Sequence, residues 1–321
     1  MITYQEFRNA KTELLKSNPL RMDCMNTQKA LQVCIPTVTH DIPDRTKAHA
    51  VLADHFGHTT TFVQHLASGI RELITDLAES HLLKSATFLI PEDVYPVYFE
   101  LIRGRPILTY KTLPVLDLAM TLSLAPTATV LLLPLPLVPS GTDLSESDLH
   151  ALIEWLAQDQ SHLLIIDSAY AFNRVAAPYE TLLNTGQCIQ LLSLSKAWLC
   201  PNLLGMAVAE ASLMKNLDLP KHEVSGHWRN IVCSTPNLPG VLQAHFDREW
   251  QSLSTELKAI DFTWSAPKNG YFKILNIDYK TLLKRHNMLG VPASVFGSIL
   301  ADLTVVSCLF ETQKTLSKGK I

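Results

Sequence analysis

Two residues of opposite charge stand at the ends of apolar runs in the middle of the chain. Asp167 directly follows Leu163-Leu164-Ile165-Ile166, and Lys196 closes Leu191-Leu192-Ser193-Leu194-Ser195-Lys196. Apolar runs of this length read as buried strands, and a carboxylate at the end of one is costly unless it meets a cation or several hydrogen-bond donors. An amine and an acid emerging at neighbouring strand ends of one sheet support a particular chemistry. The amine can condense with a carbonyl to give a Schiff base, and the acid can keep a ring nitrogen protonated so that the ring accepts electrons. Tyr170 can hydrogen-bond a ring hydroxyl, and Ser193 and Ser195 can donate to a phosphate. Taken alone, the Asp167 and Lys196 charges are better explained by an ordinary strand-end ion pair set among core residues.

The elements that would position these residues are legible in the surrounding pattern. Strands are predicted at Thr87–Ile90, Ile107–Tyr110, Thr129–Leu133, Leu163–Ile166, Ile189–Leu192 and Leu204–Val208. Helices are predicted at Val94–Arg103, Val115–Leu122 and Leu144–Ala157, the last with Ser145 and Asp148 spaced as a capping box. Strands apolar on both faces and alternating with helices predict an α/β fold with a mainly parallel central sheet and helices on both faces. Ligands of such sheets lie beyond the carboxyl ends of the strands, where Asp167 and Lys196 fall. Residues 46–225 are read as this large domain. Residues 1–45 and 226–321 mix helices with short strands such as Tyr271–Leu275 and are read as a small α+β domain built from both termini.

A collinear series of short motifs extends the pattern. Met22-Asp23-Cys24-Met25-Asn26 comes first, then Ile42-Pro43-Asp44 and Ser68-Gly69-Ile70-Arg71-Glu72. Phe88 to Tyr98 (FLIPEDVYPVY), Val138-Pro139-Ser140-Gly141 and Asp167-Ser168-Ala169-Tyr170 follow, then Ser193 to Lys196 and Pro292 to Gly297 (PASVFG). In this order the series resembles the fold-type I pyridoxal 5′-phosphate (PLP) dependent aminotransferases of class I/II. Within them it is most similar to the histidinol-phosphate aminotransferase and threonine-phosphate decarboxylase branch. The resemblance implies that Lys196 is catalytic and carries PLP, with Asp167 on the pyridine nitrogen, Tyr170 on the ring hydroxyl and Tyr95 stacked on the ring. It also implies that Gly69, Ile70 and Arg71 open a helix against the phosphate with their backbone amides, assisted by Ser193 and Ser195.

Departures from the family pattern are equally specific. The arginine that grips the phosphate is expected eight residues after the lysine, and the segment there is Pro201-Asn202-Leu203-Leu204-Gly205. Val138 stands for the asparagine that bonds the ring hydroxyl, and Ile42 for a tyrosine that reaches the partner subunit's phosphate. The arginine that clamps a substrate carboxylate falls near Thr304. Losing that clamp removes charge-assisted hydrogen bonds of about 1.5–3 kcal/mol and disfavours ordinary α-amino acids unless another cation, such as Arg71 or Arg229, takes over.

Composition restricts the remaining classes. Hydrophobic residues make up 47% and charged residues 18% of 321, with a net charge of −3 and no long basic run, so a large core is expected and nucleic acid is not. The apolar stretch Val130–Pro139 is short and interrupted by Pro134 and Pro136, and the N-terminal segment lacks the apolar core of a secretory signal, which reads as a cytoplasmic protein without a membrane partner. The six cysteines lack CxxC spacing, and His222 and His227 are spaced wrongly for a zinc-binding helix face, so no metal is expected. Trp198 and Cys200 read as core residues, and Asp143 and Asp148 as helix-start residues. The expected protein is a homodimeric aminotransferase acting on a small amino compound, with a specialised biosynthetic substrate. A decarboxylase or lyase using the same cofactor, and a degenerate member without turnover, are the two alternatives.

Overall fold

The computed structural model describes residues 3–27, 31, 42–57, 62–172, 177–200, 204–300 and 302–310. In chain order its strands are β1 (Leu20–Arg21), β2 (Phe62–Ala67), β3 (Thr87–Pro91), β4 (Ile107–Tyr110), β5 (Thr129–Pro134) and β6 (Leu163–Ser168). They continue with β7 (Cys188–Ser193), β8 (Gly205–Glu210), β9 (Phe272–Leu275), β10 (Met288–Leu289), β11 (Val291–Pro292) and β12 (Thr304–Ser307). Seven of them form the central sheet in the order β2-β8-β7-β6-β5-β3-β4. All its pairings are parallel except those of β8, which runs antiparallel to both β7 and β2.

The continuous apolar runs are explained by a sheet that is dry on both sides. Val130 and Leu132 join the cluster that contains Leu73, Ile74 and Leu77 of the helix Ile70–Glu79, whereas Leu131 and Leu133 join the opposite cluster. The same alternation divides Leu163 and Ile165 from Leu164 and Ile166. With both faces buried, a strand loses its polar alternation, and a polar residue within it, such as Gln190 of β7 donating to the Ser168 hydroxyl, must find a partner inside the protein. The mainly parallel sheet flanked by helices is therefore the architecture expected from the sequence, with β8 reversed and with β2 as a strand that the sequence pattern did not reveal. Its His65 and Gln64 interrupt the apolar run.

Local signals set several boundaries. The helix Glu146–Gln158 starts at the Ser145–Asp148 capping box, with both reciprocal bonds formed. The helix expected over Val94–Arg103 is shorter, Val97–Leu101, because the chain first turns at Asp93. The Asp93 carboxylate accepts from the Thr112 and Leu113 amides, which ties the loop after β3 to the one after β4.

Elsewhere β11, β12 and β9 make a three-stranded antiparallel sheet, and β1 pairs in parallel with β10. Segments from the N-terminal and C-terminal parts of the chain thus meet: Met22 accepts a backbone bond from Ser307, and Tyr271 donates its hydroxyl to the Met25 carbonyl. Gly297, in the segment Pro292–Gly297, lies directly on the Glu92 carbonyl at the loop after β3, a contact that leaves no room for a Cβ. Among the described residues no helix is long and apolar enough to cross a membrane, and no cluster of His, Cys, Asp or Glu is placed to hold a metal ion.

Candidate active site at the carboxyl edge of the sheet

Asp167 is the next-to-last residue of β6, and Ser193 ends β7 beside it. Leu194–Ala197 forms one helical turn, its start fixed by Leu194 and Ser195 amides donating to the Leu204 carbonyl, and this turn carries Lys196 back over the strand ends. Lys196 Nζ lies 3.9 Å from the centre of the Tyr170 ring, so the amine meets the face of Tyr170 rather than its hydroxyl. Such a contact holds the amine over the ring while leaving its N–H donors free to turn elsewhere. Tyr170 is fixed from behind by Phe272 of β9, edge-on at 4.6 Å, and by Tyr271 at 5.7 Å.

Asp167 is buried and has two donors. Tyr98 Oη donates to one carboxylate oxygen at 2.6 Å, and the Ala169 amide donates to the other at 3.0 Å. Burial pushes the Asp167 carboxyl above the usual aspartate range. The Tyr98 bond, the Lys196 charge and the Ala169 amide pull in the other direction without overcoming it. Burial, with Asp167 next to it, also drives the Tyr98 phenol well above its ordinary range, so it stays a donor. Each carboxylate oxygen accepts more than one hydrogen bond, so Asp167 retains capacity for a further N–H. A protonated ring nitrogen would supply both that donor and the compensating charge.

Tyr98 was not singled out from the sequence, although it belongs to the quoted segment Phe88 to Tyr98. The signal was its spacing: Tyr95 and Tyr98 bracket a Pro-Val pair at the start of a helix, which puts both rings on one side of the turn. They pack edge to face, 5.1 Å apart at 82°, so Tyr98 turns inward to Asp167 while Tyr95 remains half-exposed at the mouth.

The third part of the edge is the turn before the helix Ile70–Glu79. Gly69 caps it with φ 114° and no side-chain cap bond. Gly205 of β8 lies against this turn. A Cβ on Gly205 would come within 2.5 Å of the Gly69 carbonyl carbon and 2.7 Å of the Ile70 nitrogen, so only glycine allows β8 to run there. Ser193 pairs with Gly205, and Gly205 with Ala67, which places the paired hydroxyls of Ser193 and Ser195 (3.2 Å apart) in the same corner as the helix start. The first amides of a helix have no acceptor within it. The corner therefore gathers amide and hydroxyl donors suited to an anion. Arg71, in the first turn, donates through Nε to the Tyr95 hydroxyl at 2.8 Å and makes a second, shorter contact through Nη2.

The structure thus brings together Lys196, Asp167, Tyr170, Tyr95, Ser193, Ser195, Gly69, Ile70 and Arg71 along one edge. It does not add Thr304, whose hydroxyl donates to the Ile277 carbonyl at 2.6 Å inside the small sheet. Arg229 lies on another helix, His227–Ser234, near His49. His222 pairs with Asp76 at 2.6 Å and approaches Glu72 at 3.4 Å. Trp198 and Cys200 are buried as core residues, and Cys24, Cys188, Cys200, Cys233 and Cys308 are free thiols; Cys34, Pro201, Asn202 and Leu203 lie outside the described residues. A cavity of about 480 Å³ lined by Asp247, Trp250, Lys258 and Trp264 involves none of the edge residues.

The architecture is that of solved aminotransferases. N-succinyldiaminopimelate aminotransferase from Mycobacterium tuberculosis superposes with a TM-score of 0.68 at 17% identity, covering 97% of this chain and 96% of the other. YbdL from Escherichia coli, described with a methionine aminotransferase function, gives 0.71 at 12% identity over 98% and 96%. Aspartate aminotransferase from Rhizobium meliloti gives 0.68 at 16% over 99% and 95%. No protein-family model and no curated protein sequence matches the chain. At these identities the likeness defines the fold, and none of the three singles out the histidinol-phosphate branch.

Proposed function

We propose that the chain is a PLP-dependent aminotransferase acting on a small amino compound, with Lys196 as the catalytic residue. The observation that carries this reading is the placement of Lys196, just past the end of β7, close enough for its charge to act on a buried, incompletely satisfied Asp167 at the end of the adjacent β6, on a fold shared with aminotransferases. Bound PLP supplies an aldehyde that condenses with amines and a pyridine ring that withdraws electrons. The residues present fit that group: an amine, a buried acid with spare acceptor capacity, a half-exposed tyrosine and a corner of hydroxyl and helix-start amide donors. Position 204 does not contribute, because Leu204 is buried and apolar.

In this reading Asp167 holds the ring nitrogen protonated, and Tyr98 and Ala169 aim its carboxylate. Tyr95 covers the ring, and Tyr170 steadies Lys196 Nζ. Lys196 Nζ is the base and acid for the proton on the amino-bearing carbon of the substrate. The Gly69, Ile70 and Arg71 amides and the Ser193 and Ser195 hydroxyls hold the phosphate. Residues 46–225 form the cofactor domain and both termini the smaller one. The assembly is a homodimer, since the neighbour's chain closes the site in the family that the motifs resemble. The loss of charge at Thr304 favours a specialised substrate, either lacking an α-carboxylate or gripped by another residue.

The test is an absorbance titration of the purified protein with PLP, borohydride trapping, and half-reactions with glutamate, histidinol phosphate and simple ω-amines. A coloured adduct trapped on Lys196 and converted by an amino donor is the expected result. A protein that stays colourless in excess PLP, without label on Lys196, rules the proposal out.

A further inference from the structure

We infer that the Arg71 side chain is the cation that holds the cofactor's phosphate in this chain, and that the Tyr95 hydroxyl fixes it in place. This role presupposes the cofactor reading above and assigns the charge that reading leaves open. A phosphate monoester carries between one and two negative charges near neutral pH. The hydroxyls and amides of the corner are all neutral donors, and Leu204 brings no charge.

Arg71 is the second residue of the helix Ile70–Glu79, within the turn whose first amides point into the corner. A cation there opposes the helix dipole, which is positive at that end, unless an anion lies between them. No carboxylate among the described residues forms an ion pair with Arg71. Its described hydrogen bonds go to the Tyr95 hydroxyl, with Cζ 5.6 Å from that ring's centre. The adjacent Glu72 is not its partner: the Glu72 carboxylate turns back to accept from the Ser68 amide at 2.6 Å and faces His222 on its other side. That arrangement also places a negative group close to the corner, so an anion bound there needs a positive one.

A guanidinium presents five N–H donors in a planar fork. The two nitrogens on Tyr95 fix the plane of the fork, and the remaining donors stay available to phosphate oxygens. Tyr95 then has two roles. Its ring lies at the mouth beside Tyr98, and its hydroxyl holds the arginine that grips the other end of the same molecule. The same geometry removes Arg71 from the candidates for gripping the substrate.

The experiment compares PLP with pyridoxal, the same aldehyde without phosphate, by absorbance titration of apoprotein. Wild type should bind PLP far more tightly, and inorganic phosphate should compete with PLP. Arg71→Gln should weaken PLP by roughly tenfold to a hundredfold, the size of one lost charge-assisted pair, and leave pyridoxal within about twofold. Arg71→Lys should recover part of the loss, and Tyr95→Phe should weaken PLP by several-fold without losing the ring contact. Equal weakening of both aldehydes by Arg71→Gln overturns the assignment. So does unchanged PLP affinity accompanied by a raised KM for a carboxylate-bearing donor. A wild type that forms no Lys196 adduct with either aldehyde overturns the cofactor reading itself, a result distinct from an adduct whose phosphate preference survives Arg71→Gln.

Discussion

The carboxyl edge of the central sheet and the small three-stranded sheet both bury polar side chains, and they leave them in different states. At the edge, Asp167 receives one donor on each oxygen, yet burial still holds its carboxyl above the usual range and unused acceptor capacity remains. In the small sheet, Thr304 donates its one hydrogen to the Ile277 carbonyl and has no hydrogen left to give. The first arrangement is an acid with bonding capacity left open, and the second is a structural bond. The difference shows why a polar residue at an expected position is not by itself a site residue: what decides is whether the fold has left its bonding capacity open.

Changing the edge should affect chemistry most. Lys196→Ala should abolish covalent retention of PLP and reduce turnover by about three orders of magnitude or more, read by borohydride trapping and mass spectrometry. Substantial label elsewhere in the chain would move the site away from this edge.

Asp167→Asn separates chemistry from stability. Turnover should fall by roughly a hundredfold to ten-thousandfold, while the apoprotein should be no less stable at neutral pH. The sign follows from the raised pKa. Above the ordinary aspartate value the folded chain holds the proton more tightly than the unfolded chain, so this group's contribution to stability declines as pH rises through the window up to its folded pKa. Denaturant titrations of apoprotein across that window should show the decline in wild type and a flatter profile in Asp167→Asn. An apoprotein markedly destabilised by the substitution at neutral pH would mean that Asp167 is a structural charge, comparable to Thr304 in role.

Tyr98→Phe should act on both properties at once. Removing a donor from a buried carboxylate costs about 1–3 kcal/mol of stability. It should also raise the apparent pKa of Asp167 further and lower turnover without removing PLP. If stability and turnover are both unchanged, the Tyr98–Asp167 bond does not position the acid.

The smallest effects come from substitutions remote from the edge. Ser145→Ala breaks the capping box and should cost about 1 kcal/mol by denaturant unfolding. It should leave PLP affinity unchanged, which sets the baseline against which edge substitutions are judged. Thr304→Val should behave similarly, with a loss of about 1 kcal/mol and no change in substrate preference. A changed preference would return the small sheet to the list of specificity determinants.

The sequence by itself determined the elements whose signals are local. The apolar runs at Thr129–Leu133 and Leu163–Ile166 had to be strands buried on both faces, and Ser145 with Asp148 had to start a helix. It also determined that Asp167 and Lys196 lie at or just beyond the ends of such strands, because a charge next to a fully buried run is costly anywhere but at the sheet's edge. Tertiary structure alone decided the rest. The presence of β2 depends on its pairing with β8, a segment more than a hundred residues away, and the reversal of β8 on how the chain turns back beside β7; no local period encodes either. The Tyr98 bond to Asp167 joins residues 69 positions apart, and the value of Gly205 appears only when β8 is seen lying on the Gly69 peptide. Thr304 made the same point in reverse: its residue type left a hydrogen bond open to anything nearby, and only the placement of the Ile277 carbonyl showed that it was already made.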